Sequence, residues 1–124
     1  MVFLIAFTAR AGWGVVRWSR EGSPPRLEFP DEQQYWGIAS SLWRGEGMRD
    51  ELGFRAGRMP LYPTLLAPLT SLRNGVAIAH ALQWCAGAIA AVMVATWARR
   101  WGGTVGVLAG LMVALDPFSV FTSS

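Results

Sequence analysis

Asp31 and Glu32 are adjacent carboxylates in Leu27-Glu28-Phe29-Pro30-Asp31-Glu32-Gln33-Gln34-Tyr35-Trp36, a stretch that opens an amphipathic segment between two hydrophobic regions. A carboxylate within hydrogen-bond reach of a reacting hydroxyl can take its proton, and paired carboxylates also suit hard divalent cations. Two adjacent acids alone do not make a metal site, so we expect no metal and no other cofactor, with a divalent cation at this pair as the alternative. The pair has a structural explanation too. Pro30 favours an extended or turn conformation in Phe29, and Asp31 and Glu32 then fall in the first turn of a helix, where the macrodipole stabilises negative charge.

Other reactive side chains are sparse. Cys85 is the only cysteine and sits in an apolar run, which excludes an intrachain disulfide, a cysteine zinc site or a redox pair. His80 is the only histidine, read as a hydrogen-bonded structural residue on a packed helix face. Asp116 precedes Pro117 and reads first as the end of a helix.

The elements that position these residues follow from hydrophobic runs. The 124 residues are 52% hydrophobic with seven Trp, unusual for a small soluble domain and suited to a membrane chain. All 11 basic residues are Arg, and no basic run exceeds Arg99-Arg100, so the +3 formal charge makes no nucleic-acid footprint. We expect an all-α membrane protein with about three transmembrane helices, over 1–16, 76–98 and 104–121. The 23 uncharged residues of 76–98 make a helix of about 34 Å, enough for a bilayer core of about 30 Å.

Residues 17–75 form a long first loop carrying eight Arg and seven acids. Within it, Asp31 to Arg44 is helix-compatible, with Tyr35, Ile38, Ala39 and Leu42 at helical spacing and Gly45-Glu46-Gly47 as the stop. Thr64 to Leu72 is a second short helical stretch, and both are expected at the membrane interface. The basic turn at Arg99-Arg100 places that turn in the cytoplasm and the long loop outside it, in a multi-pass protein of the cell membrane. His80, Gln83 and Asp116 then fall at the level of the loop. Gly102, Gly106 and Gly110 recur every four residues, a spacing that lets another helix approach closely.

The order of features resembles the N-terminal part of integral-membrane glycosyltransferases of the dolichyl-phosphate-mannose protein mannosyltransferase and aminoarabinose transferase type, with a GT-C-like fold. The residues that carry the resemblance are Arg10 late in an apolar helix, then Phe29-Pro30-Asp31-Glu32 with Tyr35, Ala39, Leu42 and Gly45, then Arg58-Met59-Pro60-Leu61-Tyr62-Pro63. Gln83, Gly87 and Ala98-Arg99-Arg100-Trp101-Gly102 extend it over nearly the whole chain. The resemblance implies transfer of a sugar from a polyprenyl-phosphate donor to a protein, lipid or glycan acceptor on the outer side of the membrane. It implies catalytic positions at Asp31 and Glu32, Asp31 taking the acceptor proton, and substrate-binding positions at Arg10, Arg58 and Tyr62. The two arginines would neutralise the donor phosphate. Members of that family have many more helices, so the chain reads as an N-terminal fragment that would be inactive alone. The alternative is a small non-enzymatic membrane subunit or scaffold that pairs through the Gly102, Gly106 and Gly110 face.

Overall fold

The computed structural model describes residues 1–21, 27, 30–49 and 59–122. Among these residues all the regular structure is helical, and no strand is present. Six α-helices follow one another there: α1 Val2–Glu21, α2 Pro30–Trp43, α3 Leu61–Leu66, α4 Gly75–Ala98, α5 Gly103–Ala114 and α6 Pro117–Thr122. Short 3-10 turns follow α3 at Ala67–Ser71 and α4 at Arg99–Trp101. The chain divides into two compact units, Met1–Pro24 with His80–Ser124, and Pro25–Ala79.

In the first unit the buried positions repeat at helical spacing. They are Ala6, Arg10 and Gly14 on α1, His80, Trp84, Ala88, Ala91, Ala95 and Ala98 on α4, and Gly106, Gly110 and Ala114 on α5. Apart from Arg10, His80 and Trp84 these are small residues, so the backbones come close. A Cβ on Gly110 would stand 2.6 Å from the Ala95 Cβ, and one on Gly106 2.7 Å from the Ala95 carbonyl oxygen. Leu4, Leu82, Met93, Leu108 and Met112 point outward, Met112 with 76% of its surface exposed. Small residues inside and large apolar ones outside reverse the order of a water-soluble core.

One stretch of the described residues, Gly75–Trp101, is long and apolar enough to cross a membrane. The first helix, expected over 1–16, continues to Glu21, because the polar residues from Arg17 onward do not oppose helical backbone. The third expected helix, 104–121, is instead two. Its twelve-residue first part, α5, is only about 18 Å long. It stops at Leu115 because Pro117 has no N–H to donate and disfavours helical backbone in the residue before it. Asp116 then accepts the Ser119 backbone N–H at 2.7 Å, satisfying a donor in the first turn of α6.

In the second unit α2 starts at Pro30, whose fixed φ suits the first helical position. It ends where Gly45 adopts φ 77°, a conformation that favours glycine. There Glu46 N–H donates to the Ser41 carbonyl and Gly45 N–H to the Leu42 carbonyl, both at 3.0 Å, so the helix end is closed by backbone alone. α3 tightens into the 3-10 turn at Ala67–Ser71, which contains Pro68. The core is Ala39, Leu66 and Ala79, with Tyr35, Trp36, Tyr62 and Leu69 packed around it. A Cβ on Gly75 would overlap the Leu69 carbonyl, so the turn that starts α4 requires a residue without a side chain.

Candidate functional site

The first turn of α2 presents Asp31 and Glu32, with the Asp31 side chain exposed and Glu32 half-buried. One turn later Tyr35 meets Tyr62 of α3 edge to face, ring centroids 5.1 Å apart and planes at 86°. Two sequence features some thirty positions apart, the acidic pair and the Leu61-Tyr62-Pro63 segment, are thus joined by one ring contact within a single unit. Buried Pro63 anchors α3 behind Tyr62, and the Thr64 hydroxyl donates to the Pro60 carbonyl at 2.7 Å. Arg58 lies outside the described residues.

The outward side of α2 borders a groove of about 390 Å³ lined by Leu27, Gln33, Trp36, Gly37, Ser40, Ser41 and Arg44. Gln33 Nε2 donates to the Leu27 carbonyl at 2.9 Å. Arg44 closes the far end by donating from Nε and Nη2 to the two Glu46 carboxylate oxygens, at 3.0 and 3.1 Å. That hydrogen bonding holds the Glu46 carboxyl below its ordinary range and raises the Arg44 guanidinium above its own. The apolar repeat located the inner face of α2. Gln33, Gly37, Ser40 and Arg44, also at helical spacing, carried the signal for this outer face.

Arg10, expected to meet a donor phosphate, belongs to the other unit and is 1% exposed. Its Nη1 donates to the carbonyls of Ala6 and Ala114, and its Nη2 to the Val113 carbonyl and the Ser119 hydroxyl, at 2.9–3.2 Å. Arg10 therefore caps the C-terminal carbonyls of α5 with a cation, where the macrodipole favours one, and ties them to α6. Gly87 makes the slot for it, since a Cβ there would stand 2.6 Å from Arg10 Nε.

His80, 4% exposed, packs edge-on against Trp18 at 5.9 Å. Trp84 lies between Trp18 and Phe7, with the Gly14 backbone against its ring. The sequence marked His80 but not this aromatic cluster, whose members come from distant positions on α1 and α4. Trp13, Pro117, Phe118, Val120 and Phe121 line an apolar hollow of about 570 Å³, and the Arg17 guanidinium stands 5.7 Å from the Phe121 ring centroid.

Two of the three glycines expected to receive a partner helix, Gly106 and Gly110, are covered within the chain by α4, while Gly102 sits in the turn before α5 at φ 134°. Among the described residues no group of three or more His, Cys, Asp or Glu side chains is placed to hold a metal ion. Comparison with protein-family models, with curated proteins and with solved structures gives no match.

Proposed function

We propose that this chain belongs to a membrane glycosyltransferase that moves a sugar from a polyprenyl-phosphate donor to a protein, lipid or glycan acceptor outside the cytoplasm. The observation that carries the reading is the Tyr35–Tyr62 contact, which sets the acidic first turn of α2 beside the Leu61-Tyr62-Pro63 segment. In the proposed reaction the acceptor oxygen attacks the anomeric carbon, the bond from that carbon to the donor phosphate oxygen breaks, and Asp31 takes the acceptor proton. Glu32 stands beside it in the same turn, and Tyr62 lines the substrate side. The departing polyprenyl phosphate, a monoester once its bond to the sugar has broken, is neutralised by Arg58, because the Arg10 guanidinium is already committed to α5 and α6.

Three features support a membrane setting. Gly75–Trp101 has the length and composition of a span, the first unit carries its large apolar side chains outward, and the Arg99-Arg100 turn is basic. In this reading α1, α4 and the α5–α6 pair each cross, and the 17–75 segment faces away from the cytoplasm. Within the first unit, the apolar hollow bordered by Trp13, Phe118 and Phe121 suits the hydrocarbon chain of a membrane lipid. A scaffold pairing through the glycine face is disfavoured, because Gly106 and Gly110 already pack against Ala95.

Two measurements test the reading. The chain reconstituted in lipid should bind a polyprenyl-phosphate sugar better than the uncharged polyprenol, and Arg58→Ala should remove most of that preference. In membranes where sugar transfer is measured, Asp31→Asn should lower turnover by ~10² to 10⁴-fold while donor binding survives. Equal binding of the donor and the uncharged polyprenol would return the chain to the non-enzymatic reading. An Asp31→Asn rate within a few-fold of the parent would leave the carboxylate as a helix-start residue only.

A further inference from the structure

The turn that ends α4 holds an arrangement the transfer reaction does not use. Arg100 donates from Nε to the Trp97 carbonyl at 3.0 Å, and its guanidinium carbon stands 4.4 Å from the Trp97 ring centroid and 5.3 Å from that of Trp101. The two indoles meet edge to face at 4.7 Å and 75°, so they brace each other as well as the arginine. Both are more than half exposed, at 57% and 58%. The terminal Nη groups of Arg100 have no acceptor among the described residues. The result is a guanidinium oriented by stacking and one backbone bond, with its two-pronged edge left for a ligand from outside the chain.

We propose that Trp97, Arg100 and Trp101 form a binding site for the phosphate group of a membrane phospholipid. A planar guanidinium binds a phosphodiester through two parallel N–H···O bonds, and the neighbouring indoles weaken the competing hold of water on it. The apolar surroundings select a lipid over a free anion. Exposed indoles gain from the boundary between hydrocarbon and headgroups, whereas an ion taken from water would gain nothing from them. Length agrees with this placement. The 27 residues of Gly75–Trp101 extend about 40 Å, which brings the end of a helix that crosses a ~30 Å core to headgroup level. Arg99, also exposed, adds a second positive charge at the same level.

The test uses the whole chain with ¹⁵N-labelled arginine side chains, reconstituted in phosphatidylcholine bilayers, and measures magnetic coupling between guanidinium nitrogens and lipid ³¹P. One arginine signal should couple strongly to phosphorus, and Arg100→Gln should remove that signal. Replacing Trp97 and Trp101 together by Leu should weaken the coupled population about two- to fivefold, the ratio that the ~0.5–1 kcal/mol of an exposed cation–π contact represents. In bilayers of a galactosyl lipid, which lacks phosphorus, added inorganic phosphate should not restore the coupling. The proposal is overturned if the coupled signal survives Arg100→Gln, if the double Leu variant couples as strongly as the parent, or if inorganic phosphate restores the coupling.

Discussion

The two units reach close packing by different means. In the first, Ala6, Ala88, Ala91 and Ala114 pack beside Gly106 and Gly110, only the cluster around Trp84 and His80 buries rings among the described residues, and the large aliphatic side chains such as Leu82, Met93 and Met112 lie outside. In the second, the interior is built around rings, with Tyr35, Trp36 and Tyr62 packed on Ala39, Leu66 and Ala79. Small residues bring backbones together, so that dispersion and polar contacts between helices hold them, the mode of packing that suits a lipid surrounding, which supplies no hydrophobic drive between helices. Ring burial depends on water as the competing solvent and yields more per residue. Arginine is accordingly placed differently in the two units. In the first unit Arg10 links α1 to α5 and α6 from a buried position, whereas the second keeps Arg44 on its surface.

The largest effect should come from Arg10. Arg10→Met keeps most of the side-chain volume but leaves the Val113 and Ala114 carbonyls without the donors they have now. At roughly 1–3 kcal/mol for each buried group left unsatisfied, the first unit should lose about 3 kcal/mol, read as denaturant or thermal unfolding of the reconstituted chain. Arg10→Lys should recover only part, since an ammonium does not reproduce the fork that reaches both α5 and Ser119. A loss below about 0.5 kcal/mol would mean that water satisfies these carbonyls, and that the first unit is not the dry, small-residue assembly described above.

The sequence made some of this contrast legible and hid the rest for physical reasons. The stop at Gly45-Glu46-Gly47, the apolar helix ending at Ala98 and the turn at Arg99–Trp101 were readable because glycine conformation and hydrophobic runs are local signals. Of the short helices of the 17–75 segment, α2 was likewise visible to within one residue at each end, whereas the stretch expected over Thr64 to Leu72 overlaps only the end of α3 and the 3-10 turn that follows it. The α5–α6 break was marked by Asp116-Pro117, which reads as a helix end, yet the expected helix ran on to 121 because the apolar composition continues to Val120 while the hydrogen-bond pattern does not. Arg10 looked like a substrate ligand because its type is visible in sequence, whereas three of its four acceptors, on Val113, Ala114 and Ser119, lie more than 100 positions away. Tyr35 stood out as a periodic core residue, but nothing local paired it with Tyr62.

A smaller effect should mark the second unit. Tyr62→Leu keeps an apolar side chain on α3 and removes the ring pair, costing about 0.5–1.5 kcal/mol beyond the area lost. Hydrogen exchange should show faster amides in α2 and α3, with α5 unchanged. The comparison sharpens if Tyr62→Leu also lowers sugar transfer while Tyr62→Phe, which preserves the ring edge, restores both stability and rate. If α5 amides accelerate equally, the two units do not unfold separately and the contrast in packing has no thermodynamic counterpart.

The smallest effect belongs to the Arg44–Glu46 pair, whose side chains are 56% and 52% exposed. Hydrogen bonding from Arg44 holds the folded Glu46 carboxyl below its ordinary range, so the unfolded chain takes up this proton at higher pH than the folded one. The contribution of the pair is therefore fully present above the ordinary carboxylate range and disappears as pH falls through the lowered folded value. Glu46→Gln should unfold slightly more easily than the parent at neutral pH, and the gap should close on acidification and shrink with added salt. Because the carboxylate lies just past the backbone-closed end of α2, the change should appear in α2 amides before any others. A gap that widens toward acid pH would show that Glu46 acts through another partner, and that the groove on α2 is not closed by this pair.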